Sequence, residues 1–329
     1  MKFTENKAML LPYSPEYPLL HIEMCGRTCY NSLDAMGQGT ALPFVQSLIK
    51  RHHYAMLEHA NFVFQVEFSL YRRLQHLNEV CKMEDESEYP SWGAKHLSFT
   101  RVKVNNQYER CLVSGNVRSI NNTRCYELTE ALRKMHPELV YTEADKPVHI
   151  RQCVPVLDLF VLDDLHEEEI RAHCYLTFCN DTDRGVTHEM VRHREASYAQ
   201  ESTRYCNYSK EKYGGEITFV KPSTFDQWPE QAQRHFRTVM QTLEVEYNMM
   251  TTDCKLSAQQ ARAFLPQSTK ATIIMTTNVD EFIHFFALRY KGVTGAPHPD
   301  MKDLAGKMYE EYTRFFNMKG IRQFDNILL

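Results

Sequence analysis

The stretch from Arg192 to Tyr205 concentrates the side chains of this sequence that could do chemistry. It reads RHREASYAQESTRY and holds three arginines, one histidine and two serines. An arginine guanidinium presents a planar fork of donors that suits phosphate oxygens, and a serine hydroxyl can add a neutral donor to the same oxygens. A solvated basic helix followed by a turn is the alternative. The residues between the charges are apolar, aromatic or hydroxylic, which favours a partly buried cluster aimed at a small anion.

The spacing of this run is similar to a known signature. Two residues separate the Arg-His-Arg triplet from Ser197, and four residues separate Ser197 from Ser-x-Arg-Tyr at 202–205. This pattern resembles the signature of the flavin-dependent thymidylate synthases, the ThyX family, and fixes several residue types at set offsets. The flanking segments DRGVTHEMV (183–191) and CNYSK (206–210) resemble those of longer bacterial and phage members. The chain is therefore identified as a long member of that family.

The resemblance implies two groups of ligand-binding side chains in and beside the signature. Those that resemble the FAD-binding residues are Arg192, His193, Arg194 and Gln200. Those that resemble the deoxyuridylate-binding residues are Glu189, Arg192, Gln200, Glu201, Ser202, Thr203 and Arg204. Gln200 stands where some members have Glu, and Glu189 stands where others often have Gln. Ser202 is interpreted as a phosphate donor beside Arg204 rather than as a nucleophile, because the family has no established enzymic nucleophile.

Two residues of the N-terminal half resemble further flavin contacts. His59 follows Glu58 and precedes an alternating aromatic segment, as does a family histidine that touches the flavin. A structural histidine is the alternative. Cys29 in GRTCY (26–30) stands where a serine often meets the flavin, although a thiol is a weaker hydrogen-bond donor than a hydroxyl. A buried small residue would explain Cys29 equally well.

The C-terminal third contributes a predicted helix and two more arginines. Asn278, with Glu281 three residues later, predicts a helix N-terminus. Offsets of four, seven and eleven residues place Asn278, Phe282, Phe285 and Arg289 on one helical face. We expect this face, polar at its ends and aromatic in the middle, to accommodate a flavin and a pyrimidine.

The resemblance assigns a role to several residues of this third. Arg289 resembles the catalytic residue that helps to ionise N3 of the uracil and so activates C5. Asn278, Asp280 and His284 match flavin contacts. Asp280 and His284 lie off the Arg289 face, so they are candidates for a different copy of the site in an oligomer. Arg262, in ARAFLP (261–266), resembles a nucleotide contact, with a surface arginine as the alternative.

Apolar periodicity predicts mixed strands and helices along the chain. The predicted strands are 61–69, 173–179, 216–220 and 269–277, and the predicted helices are 21–31, 43–53, 122–135, 229–254, 257–265 and 299–316. A turn at 181–185 is expected to lead into a signature helix. We predict an α+β, ThyX-like fold with one main, mostly antiparallel sheet flanked by helices. Residues 1–329 would form a single catalytic domain, with the polar, proline-broken segment 82–168 as an insertion packed on it.

Composition narrows the function further. The formal net charge of −4 argues against a general nucleic-acid binder, since such proteins carry a basic footprint. The ten cysteines are dispersed without a C-x-x-C pair, so buried thiols are expected and no metal site is predicted. No apolar run reaches the length of a membrane span, and no signal-peptide-like start is present. A cytoplasmic protein without membrane partners is expected.

The resemblance implies a flavin-dependent thymidylate synthase that reductively methylates dUMP to dTMP. It implies FAD as cofactor, NADPH and 5,10-methylenetetrahydrofolate as co-substrates, and a homotetramer with sites at subunit interfaces. Two alternatives stay open. A diverged enzyme could add a hydroxymethyl or another one-carbon group to a pyrimidine nucleotide, and a non-catalytic protein could bind the nucleotide without a flavin.

Overall fold

The computed structural model of the chain describes residues 1–83, 93–94 and 96–321. The first part of the predicted insertion, 84–92 together with 95, and the chain end 322–329 lie outside the described residues. Helices and antiparallel strands are mixed along the chain, which confirms the predicted α+β class. Within the described ranges, no helix is both long and apolar enough to cross a membrane.

The α-helices of the described residues include those predicted outside the signature, with shifted ends, and three that were not predicted, at 68–83, 117–122 and 167–173. They are α1 (Pro18–Cys29), α2 (Ala41–Lys50), α3 (Phe68–Met83), α4 (Val117–Asn122), α5 (Tyr126–Met135), α6 (Glu167–His173), α7 (Arg184–Met190), α8 (Glu230–Thr252), α9 (Ala258–Ala261), α10 (Val279–Phe286) and α11 (Pro299–Met318). As predicted, the Asn278 side chain caps α10, because its Oδ1 accepts a hydrogen bond from the Glu281 main-chain N at 3.0 Å. The α10 helix continues as a π-helical turn, Ala287–Lys291, which ends at Gly292 with φ 73°.

The strands of the described residues form three sheets. They are β1 (Lys2–Thr4), β2 (Lys7–Leu11), β3 (Asn61–Val66), β4 (Ser98–Val104), β5 (Tyr108–Asn116), β6 (Cys153–Val156), β7 (Tyr175–Asp183), β8 (Ser197–Gln200), β9 (Thr218–Val220) and β10 (Lys270–Asn278). One antiparallel sheet has the order β2-β7-β10-β8, and a second has the order β4-β5-β3-β6. The small third sheet pairs β1 with β9 in parallel.

The prediction of one main sheet was therefore incomplete, since two four-stranded sheets share the described chain. The second sheet forms because β4 and β5, both inside the predicted insertion, make a hairpin that pairs with β3. Asn105 and Asn106 turn this hairpin with φ of 48° and 58°, a region that asparagine tolerates better than most residues. This asparagine pair could have predicted the hairpin, but the segment was interpreted from its polarity alone.

Two predicted elements near the site were wrong in their extent. The predicted signature helix does not form, because β7 continues to Asp183 and α7 ends at Met190, before the signature begins. Asp183 Oδ1 accepts a hydrogen bond from Val186 N at 2.8 Å and so starts α7 early. The predicted strand 61–69 ends at Val66, and Phe68 begins α3 instead.

The hydrophobic core has one large cluster on each four-stranded sheet. The cluster under β7 and β10 includes Phe178, Phe282, Phe285 and Phe286, each fully buried. Aromatic pairs join them, with the rings of Phe178 and Phe282 5.1 Å apart. Phe282 and Phe285 therefore pack in the interior. The prediction that they form an open, ligand-facing stripe between Asn278 and Arg289 was wrong, because burial of their apolar area stabilises the fold.

Candidate active site

The signature is an edge strand bounded by two loops. Its strand, β8, pairs antiparallel with β10, so that Ser197 lies opposite Thr276 and Gln200 lies opposite Ile273. Glu201 N extends the ladder by donating to Thr272 O at 2.9 Å. The Arg-His-Arg loop consequently lies at the C-terminal end of β10, and the loop that follows β8 lies towards its N-terminal end. At about 3.3 Å per residue, the strand holds these two loops roughly 10 Å apart.

One corner of the site is built around the main-chain carbonyl of Glu189. Arg192 N donates to this oxygen at 3.2 Å, and Arg289 Nη2 donates to it at 3.5 Å. Arg289 Nη1 also lies 3.5 Å from Glu189 Oε2. The π-helical turn at the end of α10 is what carries the Arg289 side chain to the end of α7. Three residues predicted to bind the nucleotide thus meet at one point, with the Arg289 side chain 27% exposed.

His193 lies under this corner and faces α10. It is 8% exposed, and its Nε2 lies 3.0 Å from Glu281 Oε2 without a hydrogen bond of good geometry. Its ring centroid is 5.4 Å from that of His284 and 5.7 Å from that of Phe285. The structure therefore brings together His193 and His284, two of the predicted cofactor residues. The Tyr198 hydroxyl fixes the loop by donating to His193 O at 2.8 Å.

A cavity of about 360 Å³ lies beside the Arg-His-Arg loop, between the two four-stranded sheets. The signature side contributes Arg194 and Ser197, and β10 ends in the cavity wall at Asn278. Asn278 Nδ2 donates to Ala172 O at 3.3 Å, so one of the hydrogen bonds of its amide group is made within the protein. Arg194 is exposed and forms no ion pair with any described residue. The wall opposite Arg194 comes from the β4–β5 sheet, including Ser98 and Asn116.

Sequence reasoning missed one charged residue that lines this cavity and the partner of its ion pair. Glu58 lines it, and Arg118 Nη1 donates to Glu58 Oε1 at 2.6 Å. Ser197 Oγ donates to Glu58 Oε2 at 3.2 Å, which ties the signature strand to the second sheet. The neighbouring His59 could have drawn attention to Glu58. No sequence signal pointed to Arg118, because it lies in the segment interpreted as an insertion.

His59 itself lies in the interior. Its ring is 1% exposed, and its Nδ1 lies 2.8 Å from Thr276 Oγ1 on β10. Burial lowers the pKa of His59 to about 3, so the ring is neutral at physiological pH. These contacts match the structural alternative, and the flavin contact of His59 stays a prediction.

The loop after β8 carries the predicted phosphate donors. Arg204 N donates to Ser202 Oγ at 3.3 Å, and Arg204 Nε donates to Gln259 Oε1 on α9 at 3.0 Å. Arg262 follows three residues after Gln259 in the same short helical segment and is exposed. Ser202, Arg204 and Arg262 are therefore on neighbouring elements, as the resemblance implies. Thr203, predicted with them, is buried.

Glu201 is held inside the protein rather than offered to a ligand. It is 3% exposed, and its Oε1 accepts a hydrogen bond from Tyr208 Oη at 2.9 Å. Lys270 Nζ lies 3.5 Å from Glu201 Oε2 and 3.3 Å from Asp181 Oδ1. Gln200 is likewise occupied, because its Nε2 donates to Thr187 Oγ1 at 2.9 Å. In this conformation both predicted nucleotide contacts serve the fold.

Cys29 and Asp280 lie on opposite sides of the signature. The main-chain O of Cys29 accepts a hydrogen bond from Ser202 N at 3.0 Å, so Cys29 lies beside the loop that follows β8. Burial raises the pKa of its thiol. Asp280 is exposed and accepts a hydrogen bond from Arg171 Nε at 2.8 Å, away from the Arg289 corner. Its separation from Arg289 agrees with the helical geometry expected from the sequence.

Comparisons with known proteins bear on this arrangement. The family model described as thymidylate synthase complementing protein matches residues 141–316, which include the signature and Arg289. A protein named flavin-dependent thymidylate synthase from Pyrococcus furiosus is 32% identical over 148 residues, which is 45% of this chain and 58% of that relative. One of the same name from Pyrococcus horikoshii is 31% identical over 194 residues, or 59% of this chain and 71% of the relative.

Two solved structures are also similar in part. A UMP/dUMP methylase, PolB from Streptomyces cacaoi with bound 5-Br dUMP, aligns with 95% of this chain and 93% of its own at 14% identity and a TM-score of 0.39. Thymidylate synthase X from Helicobacter pylori with FAD and dUMP aligns with 47% of this chain and 73% of its own at 18% identity and a TM-score of 0.35. On the sequence match to more than half of its length, the chain belongs to the thymidylate synthase complementing protein family.

Proposed function

We propose that this protein is a flavin-dependent thymidylate synthase, which converts dUMP to dTMP with 5,10-methylenetetrahydrofolate as carbon donor and NADPH as reductant of FAD. The observation that supports this most directly is the meeting of Arg192 and Arg289 at the carbonyl of Glu189. The main-chain N of Arg192 and the guanidinium of Arg289, about 100 residues apart in the chain, meet at one partly exposed corner. A partly exposed guanidinium whose contacts with the protein are this long is suited to an anionic ring or phosphate.

Arg289 would act on the uracil. Loss of the N3 proton leaves negative charge on the ring, and a positioned guanidinium stabilises that charge as oxyanion donors do. The developing anion makes C5 a carbon nucleophile. Glu189 orients the Arg289 side chain by its carboxylate and its carbonyl, both at 3.5 Å. Because these contacts are long and the side chain is partly exposed, donors of Arg289 stay available to substrate.

The nucleotide phosphate would bind at the other end of β8. Ser202 and Arg204 offer a hydroxyl and a guanidinium on one loop, and Arg262 adds a second guanidinium from the neighbouring segment. Arginine forks bind phosphate oxygens in a bidentate manner, so this cluster favours a monophosphate dianion. Buried Glu201 stays paired with Lys270, which limits its repulsion of that anion.

The residues present fit a flavin dinucleotide on the opposite side of the signature. Arg194, Ser197 and Asn278 line the cavity, and the buried Nε2 of His193 has no hydrogen bond. Arg192, His193, Arg194, Asn278 and His284 would hold FAD, with Gln200, Cys29, His59 and Asp280 as further predicted contacts. FAD supplies the redox chemistry when bound, and the protein supplies orientation and charge. The cavity is wide and polar enough for part of such a ligand.

A site shared between subunits of a homotetramer would explain how two loops at opposite ends of β8 can serve one active site. Within one chain, β8 separates the Arg-His-Arg loop from the Ser202 loop by roughly 10 Å. A second subunit could bring its own phosphate loop or its own α10 to the first subunit's cavity. Asp280, which contacts Arg171 away from the Arg289 corner, would then contribute to a neighbouring copy, whereas His284 stays beside His193 of its own chain.

The direct test uses purified protein with FAD, dUMP tritiated at C5, NADPH and methylenetetrahydrofolate. We expect a yellow protein that releases tritium and forms dTMP, identified by mass, only when both co-substrates are present. A hydroxymethylated nucleotide would instead select the one-carbon transferase alternative. A colourless protein that binds dUMP but ignores added FAD would refute the proposal and leave nucleotide binding alone.

A further inference from the structure

The Glu58–Arg118 ion pair joins the second sheet to the cavity beside the signature. Arg118 Nη1 lies 2.6 Å from Glu58 Oε1, and the two side chains are 26% and 18% exposed. Arg118 belongs to α4, directly after β5, whereas Glu58 lies just before β3. Glu58 also accepts the hydrogen bond from Ser197 Oγ, so one carboxylate contacts both α4 and the signature strand.

The charge around this cavity makes the ion pair consequential. Arg194 is the arginine of the cavity lining, and the carboxylates in the lining belong to Glu58, Glu195 and Glu281. Glu281 lies beside His193 at 3.0 Å, and Glu195 is exposed to solvent. Glu58 is the most enclosed of the three. Its negative charge is paired with Arg118.

We propose that Arg118 is a positioning residue of the flavin site: it binds Glu58, keeps that carboxylate from pairing with Arg194, and leaves the Arg194 guanidinium to the phosphate groups of FAD. The inference rests on the proposed function, because it takes Arg194 to be a cofactor ligand. Without Arg118, the Glu58 carboxylate would still line the cavity and would pair with Arg194 instead. A carboxylate competes with phosphate for the same guanidinium fork. It also repels an incoming anion in a partly enclosed space.

This role makes a distinctive prediction for paired variants. Arg118→Met is expected to weaken FAD binding at least tenfold. Glu58→Gln alone is expected to retain or improve FAD affinity, since glutamine still accepts the Ser197 hydrogen bond but carries no charge. Arg118→Met combined with Glu58→Gln is expected to return to within threefold of the unsubstituted protein, because no carboxylate is left to occupy Arg194.

The test is FAD titration followed by flavin fluorescence, with riboflavin as a second probe that has the same ring system but no phosphate. Arg118→Met should weaken FAD binding much more than riboflavin binding. Arg133→Met is the matched control, because Arg133 pairs with Glu130 at 2.8 Å on α5 and neither residue lines the cavity. It should bind FAD within twofold of the unsubstituted protein.

The possible results distinguish a failure of this inference from a failure of the proposed function. If the unsubstituted protein binds no FAD, the proposed function fails. If it binds FAD but the double variant stays as weak as Arg118→Met, or riboflavin binding falls equally, Arg118 is only structural and the inference is overturned. Should Arg118→Met fail to fold by circular dichroism, Glu58→Gln decides, since a tenfold loss of FAD affinity in that variant contradicts a competing carboxylate.

Discussion

Arg289 lies against Glu189, with its guanidinium 3.5 Å from both the carboxylate and the main-chain carbonyl of that residue. The contact joins the end of α10 to the end of α7, immediately before the signature. Neither residue is fully buried, so the pair is held by the fold and still open to a ligand. Arg192 N donates to the same carbonyl, so three predicted substrate residues meet at this corner.

Substitution of Arg289 should separate chemistry from cofactor binding. We expect Arg289→Ala to abolish dTMP formation while the protein keeps bound FAD, because the lost guanidinium would act on the uracil. Tritium release from C5-labelled dUMP measures the first effect, and the flavin absorbance of the purified variant measures the second. Arg234→Ala, on the exposed face of α8 where Arg234 pairs with Glu230, should leave both unchanged. Near-normal turnover of Arg289→Ala would refute the assigned role.

The buried carboxylate of Glu201 should make Lys270 important for stability. Lys270→Met leaves Glu201, 3% exposed, beside Asp181 without its cation. We expect a loss of about 2–3 kcal/mol in the free energy of unfolding, below the range for a fully enclosed pair because the Lys270 side chain is 23% exposed. Urea denaturation measures the change.

Two further variants check this explanation. Adding Glu201→Gln to Lys270→Met should recover much of the lost stability, since the unpaired charge is gone while the Tyr208 hydrogen bond can be kept. Lys221→Met, whose partners Asp226 and Glu5 are largely exposed, should cost less than about 1 kcal/mol. Equal losses for Lys221→Met and Lys270→Met would contradict the importance given to burial.

Three buried histidines should make the fold sensitive to mild acid. Burial lowers the pKa of His59 and His173 to about 3 and that of His21 to about 4. In the unfolded chain each titrates near 6.5, so below that pH the unfolded state binds protons that the folded state refuses. Stability is therefore full above about pH 6.5 and falls as the pH drops towards 3, by about 2 kcal/mol per histidine between pH 7 and pH 5.

Urea unfolding at the two pH values tests this directly for His173, whose ring contacts Thr100 and Ser114 at 2.9 and 2.7 Å. His173→Gln should reduce the difference in stability between pH 7 and pH 5 by about 2 kcal/mol, whatever its effect at pH 7. An unchanged difference would show that His173 is not a buried neutral base.

Cys29 should tolerate replacement by serine. The resemblance places a serine at this position in many relatives. The hydrogen bond from Ser202 N to Cys29 O involves only the main chain, and the contact of the thiol with Met56 Sδ is long, at 4.0 Å. We expect Cys29→Ser to keep FAD affinity within threefold, measured by flavin fluorescence. Loss of FAD binding on this change would mean that the thiol itself, rather than a small polar group, is required there.

Much of the architecture could be predicted because local signals agreed with the final contacts. Asn278 caps α10 as its side chain and Glu281 suggested, and Pro299 starts α11 as its fixed φ allows. The prediction of a helix in the signature was wrong, because the local preferences of this basic, hydroxyl-rich run are compatible with a helix. Pairing with β10 decides its conformation, and the sequence of 192–205 carries little information on that partner.

The family, the mixed α+β class and the candidate anion-binding residues could be read from the sequence, because the spacing of the signature residues is visible without any tertiary contact. Which of these side chains are exposed depends on the folded structure. Glu201 and Arg204 lie three positions apart, yet one is buried against Lys270 and the other reaches solvent. Burial, and the Glu58–Arg118 contact between distant segments, depend on how sheets pack, and that is a property of the whole chain.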